Sequence, residues 1–153
     1  MSEELHDYEA LIGSFYSSFS NLNRAGMTKC YHRDIHFLDS AFGNLHGEDV
    51  SKMWEMLIAR SKGNLEISFS DIWVDENYGG AKWVAKYKFG NRPVTNFVTA
   101  RFKFSEGKIL EHSDHFDLWK WSRQAIGPIA YLIGWTGFFQ KRVRAKFRNS
   151  LFH

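Results

Sequence analysis

The stretch KWVAKYKFGNRPVTNFVTARFKFSEGKILEHSDHF, residues 82–116, decides the fold. Large apolar side chains occupy every second position of its segments: Trp83, Ala85, Tyr87 and Phe89, then Val94, Val98, Ala100, Phe102 and Phe104, with Asn96 in phase among them. Leu110 and Phe116 continue the pattern, with His112 and Asp114 between them. A period of two marks a strand with one buried face. Gly90-Asn91-Arg92-Pro93 and Ser105-Glu106-Gly107 interrupt the alternation, and both are short and glycine-bearing, as hairpin turns are. Upstream, Leu65, Ile67 and Phe69 alternate in the same way, with Tyr78-Gly79-Gly80 read as the turn that follows. Four strands in an antiparallel meander are expected.

The period is helical on the N-terminal side. Leu11, Ile12, Phe15, Tyr16 and Phe19 are spaced three and four apart, and so are Val50, Met53, Trp54, Leu57 and Ile58 in a helix expected over 48–60. A second short helix is expected between Asn23 and Tyr31. Ile35 to Leu38 reads as a short strand ending at Asp39, and Ser40 to Gly47 as a loop. Leading helices and a following antiparallel sheet make an α+β architecture, the helices covering the apolar face of the sheet. Helical spacing returns after Asp117 with Leu118, Trp119, Trp121 and Ile126. Beyond the Gly127-Pro128 break, Phe139, Val143, Phe147 and Leu151 recur in steps of four opposite basic residues, the pattern of an amphipathic helix. We divide the chain into an α+β domain over 1–127 and a C-terminal helical extension over 128–153. The extension is expected to pack on the same domain or on a second subunit, with membrane contact the weaker expectation.

Composition narrows the function classes. The 153 residues suffice for one domain, and 44% are hydrophobic and 17% aromatic, with 14 Phe and 6 Trp. Such side chains fill cores and line apolar pockets. The lone cysteine, Cys30, excludes an internal disulfide and suits a reducing compartment, so the cytoplasm is expected. No secretory signal is read at the acidic N-terminus. The apolar run from Ile126 to Phe139 is broken by glycine and proline and falls short of the roughly 20 residues that a membrane span needs. The net charge is +3 and the pI about 9.0, but much of the excess lies in Lys141, Arg142, Arg144, Lys146 and Arg148. A basic tail without a basic face is poor support for nucleic-acid binding, which is not expected.

Several segments carry a family resemblance: Phe15-Tyr16 in the first helix, Tyr31 to Phe37 before the first strand's end, Asp39-Ser40-Ala41-Phe42-Gly43 with Leu45-His46-Gly47, and Gly107-Lys108-Ile109 through Asp117. In this order and spacing they resemble the nuclear transport factor 2-like superfamily, in particular its SnoaL-like branch, over residues 8–127. The resemblance implies a cone-shaped curved antiparallel sheet around one small-molecule pocket, and a homodimer formed through the outward face of the sheet. It leaves activity open, because such proteins include isomerases, epoxide hydrolases, polyketide cyclases and pure binding modules.

Three ionisable residues are the candidates for chemistry. The loop beginning at Asp39 is similar to the Asp-Pro-x-Gly loop that carries the general base of ketosteroid isomerases, which implies that Asp39 faces the pocket. A carboxylate in an apolar cavity has a raised pKa and can move a proton beside a carbonyl or enol. An Asp in a turn can equally cap backbone amides. His112 and Asp114 are two apart on one strand and share its face with Leu110 and Phe116. The resemblance puts that face inward, as an acid/base pair or as a buried pair that satisfies itself. The isomerase pattern fails elsewhere: its second acid aligns at Ala100, and its tyrosine near Phe15, with Tyr16 one position off. Phe15, Tyr16, Trp54, Trp83, Tyr87, Asn96 and Phe102 are expected to line the ligand site. His112-x-Asp114 also has the spacing of two metal ligands, with His36, His46 or another distant histidine as a third, but such spacings arise by chance. No metal and no cofactor is expected. The resulting expectation is a protein that binds a small hydrophobic molecule and acts as a cofactor-free isomerase, cyclase or epoxide hydrolase. The alternative is a ligand-binding or assembly module without turnover.

Overall fold

Buried Ile12, Phe15, Tyr16 and Phe19 form one face of the first helix, α1 (Ser2–Ser20), in a computed structural model that describes residues 2–127. Glu3 and Glu4 in its first turn complement the positive end of the helix dipole. Helix α2 (Arg24–Lys29) is capped by Asn23, whose side chain accepts from the Gly26 N–H at 3.2 Å. Strand β1 (Tyr31–Asp39) and strand β2 (Gly43–His46) follow, then helix α3 (Glu48–Ser61) with Val50, Met53 and Trp54 buried. The meander is β3 (Glu66–Asp75), β4 (Tyr78–Phe89), β5 (Arg92–Ser105) and β6 (Lys108–His115). Helix α4 (Leu118–Ile126) is capped by Asp117, which accepts from the Lys120 N–H at 3.0 Å. The amphipathic helix expected after Gly127 lies outside the described residues, as does all of 128–153.

The six strands form one curved, open sheet in the order β2-β1-β6-β5-β4-β3. The meander pairs antiparallel throughout, whereas β1 runs parallel to β6, so the sheet is mixed. Parallel pairing follows from the long connection through α3 and the meander, which brings the chain back beside β1 in the same direction. Helix α1 packs on β3 and β4, and α3 on β1 and β2. Together they cover one face of the sheet and bury a continuous aromatic core. Full burial of a side chain such as Phe15 or Phe37 contributes about 1.5–3 kcal/mol.

Four local features differ from the sequence expectation. Strand β1 begins at Tyr31, before the expected Ile35, after which an irregular register between Tyr31 and His36 carries the polar stretch. Part of the expected loop is strand β2, paired antiparallel to the end of β1. The hairpin between β3 and β4 turns at Glu76 and Asn77, so Gly79 and Gly80 lie inside β4 and not in a turn. The ring of Phe104 and the indole of Trp73 occupy the space that their side chains would need: a Cβ on Gly79 would sit 3.0 Å from Phe104, and one on Gly80 2.9 Å from the Ala100 carbonyl. Finally, the pairing of β5 with β6 slips between Lys103 and Phe104, leaving Leu110 without a partner. This bulge rotates Ile109 into the core in place of Leu110, while His112 and Asp114 keep the inward face.

Candidate functional site

Asp39 ends β1 and Asp114 lies opposite it on β6, the two being partners across the parallel ladder. Adjacent strands lie about 4.8 Å apart, so the sequence places two carboxyl groups side by side although they belong to opposite ends of the fold. Both line a cavity of about 430 Å³. Its walls are mainly apolar and aromatic: Phe19, Met53, Trp54, Leu57, Trp83 and Phe116 are among them.

The two acids sit in different environments. Asp39 turns its carboxyl back on the chain, Oδ1 accepting from the N–H groups of Ala41 at 2.9 Å and Phe42 at 2.5 Å. These bonds favour the ionised form, but desolvation is larger, and the neighbouring Asp114 adds repulsion. The balance pushes Asp39 up from 3.8 to about 7. Asp39 therefore caps its turn and faces the cavity at once.

Asp114 belongs to a buried chain of hydrogen bonds. Trp54 Nε1–H donates to the Tyr31 hydroxyl at 2.9 Å, and the hydroxyl lies 2.8 Å from His112 Nδ1. His112 Nε2 lies 2.9 Å from Asp114 Oδ1, which also accepts from Trp83 Nε1–H at 3.3 Å. One assignment satisfies every group: Tyr31 donates its proton to His112 Nδ1, and His112 donates Nε2–H to Asp114. Burial pushes the Tyr31 hydroxyl well above its ordinary pKa, which keeps that proton in place. The chain fixes Asp114 Oδ1 and leaves Oδ2 without a hydrogen bond among the described residues.

His112 is 1% exposed and does not line the cavity; it stands behind Asp114 and orients it. Phe15, Tyr16 and Phe102, expected in the ligand site, also stand outside the cavity wall. Phe15 and Phe102 pack their rings around His112, at 5.5 and 4.6 Å between centroids, and Tyr16 packs against Phe69 and Trp83. All three side chains are buried in the core, and the space at that end of the sheet is filled by the side chains themselves. The Tyr16 hydroxyl is buried without a hydrogen-bond partner among the described residues, and burial raises its pKa well above 10. Trp54, Trp83, Tyr87 and Asn96 do line the cavity. Asn96 is 9% exposed and its amide makes no hydrogen bond among the described residues. Tyr87 accepts from Trp121 Nε1–H, which leaves its own hydroxyl proton for a ligand, and its pKa is pushed up to about 12.

Sequence reasoning missed much of the cavity wall. Met53 and Leu57 were legible only as a helix stripe, and Trp121 of α4 closes one side by packing on Tyr87. Arg60, Lys62 and Lys88 gave no pattern at all. His36 and His46 stack on each other, centroids 4.4 Å apart, and His36 Nε2 bonds to Asn44 Oδ1 at 2.9 Å. They do not join His112, both of whose ring nitrogens are engaged by protein groups. No group of three or more metal-ligating side chains occurs among the described residues.

A curved sheet, covering helices and an apolar cavity holding two acids define the class, and comparison with known proteins supplies the family. Residues 12–112 match the model of the SnoaL-like domain, and the chain belongs to that family. Solved structures share the fold at low identity. Bal32a, from a soil-derived mobile gene cassette, superposes with a TM-score of 0.72 at 13% identity, over 79% of this chain and 98% of that one. An epoxide hydrolase of the LEH-like type from M. tuberculosis gives 0.65 at 16% identity, over 85% and 98%. TerC, co-crystallised with polyporic acid, gives 0.66 at 13% identity, over 76% and 96%. No curated protein matches the sequence.

Proposed function

We propose that this protein is a cofactor-free acid–base catalyst acting on a small, largely apolar carbonyl, enol or epoxide compound. The observation that carries the reading is Asp39, a carboxyl in an apolar cavity with its pKa raised to about 7. Such a group is nearly half ionised at neutral pH, so it can take a proton and return it. Burial is the larger reason that Asp39 holds a proton, and Asp114, fixed in place by His112 and Trp83, adds repulsion from across the ladder. Asn96 and Tyr87 are the donors suited to the substrate oxygen on which charge develops. A proton leaves the carbon beside the carbonyl for Asp39, the oxygen takes up the electron pair under these donors, and Asp39 returns the proton at another carbon or at the oxygen.

The test is solvent deuterium incorporation beside the carbonyl of cyclic ketones, followed by NMR. Wild type should exchange, and Asp39→Asn should lose exchange while its affinity for the ketone stays within about twofold. Equal exchange in both would sink the assignment of Asp39. A second reading has a specific observation behind it: Ala100, paired with Asp114 across the ladder, stands where the isomerase pattern carries its second acid. Without that proton donor, a ligand-binding or assembly module is the natural alternative, shown by tight ligand binding without exchange.

The same reading includes a cytoplasmic homodimer formed through the outward face of the sheet, where Leu38 is 45% and Phe97 59% exposed. Among the described residues no helix is long and apolar enough to cross a membrane.

A further inference from the structure

Arg60, Lys62 and Lys88 line the cavity that holds Asp39 and Asp114, and all three are exposed, so they border its mouth. None of them forms an ion pair among the described residues. Among the described residues the acids on the cavity wall are Asp39 and Asp114, of which Asp114 is buried. Arg60 and Lys62 close the C-terminal end of α3, where cations complement the helix dipole, and that accounts for their sign. Lys88 comes from β4 and has no such partner. Three positive charges around one opening repel each other until an anion enters.

We infer that the mouth is a subsite for an acidic group on the ligand, a carboxylate or similar compact organic anion attached to an apolar body. This rests on the reading of the cavity as a ligand site. The apolar body lies inside against Met53, Trp54, Leu57 and Trp83, while the charged group stays at the solvent-facing mouth, where its desolvation cost is small. Fixing the acidic end at the mouth sets which carbon of the body reaches Asp39, and this orientation is what a few well-placed polar groups add to an apolar pocket. A neutral ligand of the same shape would bind with its ends interchangeable.

A pair of fluorescent probes separates the two claims. 8-Anilinonaphthalene-1-sulfonate and N-phenyl-1-naphthylamine share their rings and differ in the sulfonate. The full chain should bind the sulfonate about tenfold tighter at low salt, the size expected of a few exposed ion pairs acting together. Added salt should erode that preference. A variant carrying Arg60→Gln, Lys62→Gln and Lys88→Gln should lose the preference while holding the neutral probe within about twofold. Ala85→Trp, which fills the cavity, should weaken both probes. Equal binding of the two probes by wild type, or an unchanged preference in the triple variant, overturns the anion subsite and leaves the apolar cavity standing. Undiminished sulfonate binding by Ala85→Trp also overturns it, since the probe then sits elsewhere. Failure of both probes to bind overturns the ligand-site reading itself.

Discussion

Replacing Asp39 by Asn should stabilise the protein, and by more at pH 8 than at pH 5. The amide keeps an Oδ1 that can accept from the Ala41 and Phe42 N–H groups, so the turn survives, but it cannot ionise. In wild type the folded-state pKa is about 7 against 3.8 in the unfolded chain. A raised carboxyl pKa means that the unfolded chain gives up its proton first. From about pH 4 upward the folded state holds a proton that the unfolded chain has lost, so stability falls with rising pH until about pH 7, beyond which the deficit is constant. Integrated between pH 5 and pH 8, this amounts to about 2.5 kcal/mol at most, and solvent reaching the half-buried carboxyl lowers the expectation toward about 1 kcal/mol. Urea denaturation of both proteins at pH 5, 6, 7 and 8 gives the difference directly. A stability difference that stays constant over that range would show that the Asp39 carboxyl is ordinary in the folded protein, and the acid–base reading would lose its basis.

Other perturbations test the rest of the site. Tyr31→Phe removes the hydroxyl between Trp54 and His112, leaving two buried polar groups unpaired; it should cost about 1–3 kcal/mol and lower Tm by several degrees in a calorimetric scan. Gly80→Ala sets a methyl group against the Trp73 indole and should cost a comparable 1–3 kcal/mol, roughly, visible as a lower denaturation midpoint with unchanged m-value. Phe97→Glu on the outward face should convert a dimer to monomer in sedimentation velocity at micromolar concentration; a wild type that sediments as a monomer ends the dimer proposal.

The meander was legible because alternation survives along β4, β5 and β6, where one face is buried against helices and the other meets solvent. What misled was side-chain substitution by neighbours. Gly79-Gly80 has the composition of a turn, yet the pair continues the strand because Trp73 and Phe104 fill the space over it, a contact made from other strands. The inward face of His112 and Asp114 was legible from parity, and Leu110 was not, since a bulge of one residue leaves no mark in an apolar pair such as Ile109-Leu110. Asp39 could be singled out by its place after an apolar strand. Its pairing with Asp114 could not, because it depends on a parallel register between strands that local pattern does not relate. The same holds for Arg60, Lys62 and Lys88, which look like ordinary surface cations until α3 and β4 are seen to border one opening.

The parallel seam between β1 and β6 has a consequence for how the molecule assembles. Tyr31 and His112 are 81 positions apart, whereas the hairpins of the meander close over a few residues. Short loops close early and long ones late, since loop entropy must be overcome before distant contacts repay it. A chain with only its hairpins formed has the apolar walls of β4 and β5 but no pair of acids, and Asp39 in such a state titrates as an exposed carboxyl. Asp39 is thus expected to report on this docking: its titration should move toward neutrality only once the first strand lies beside the last.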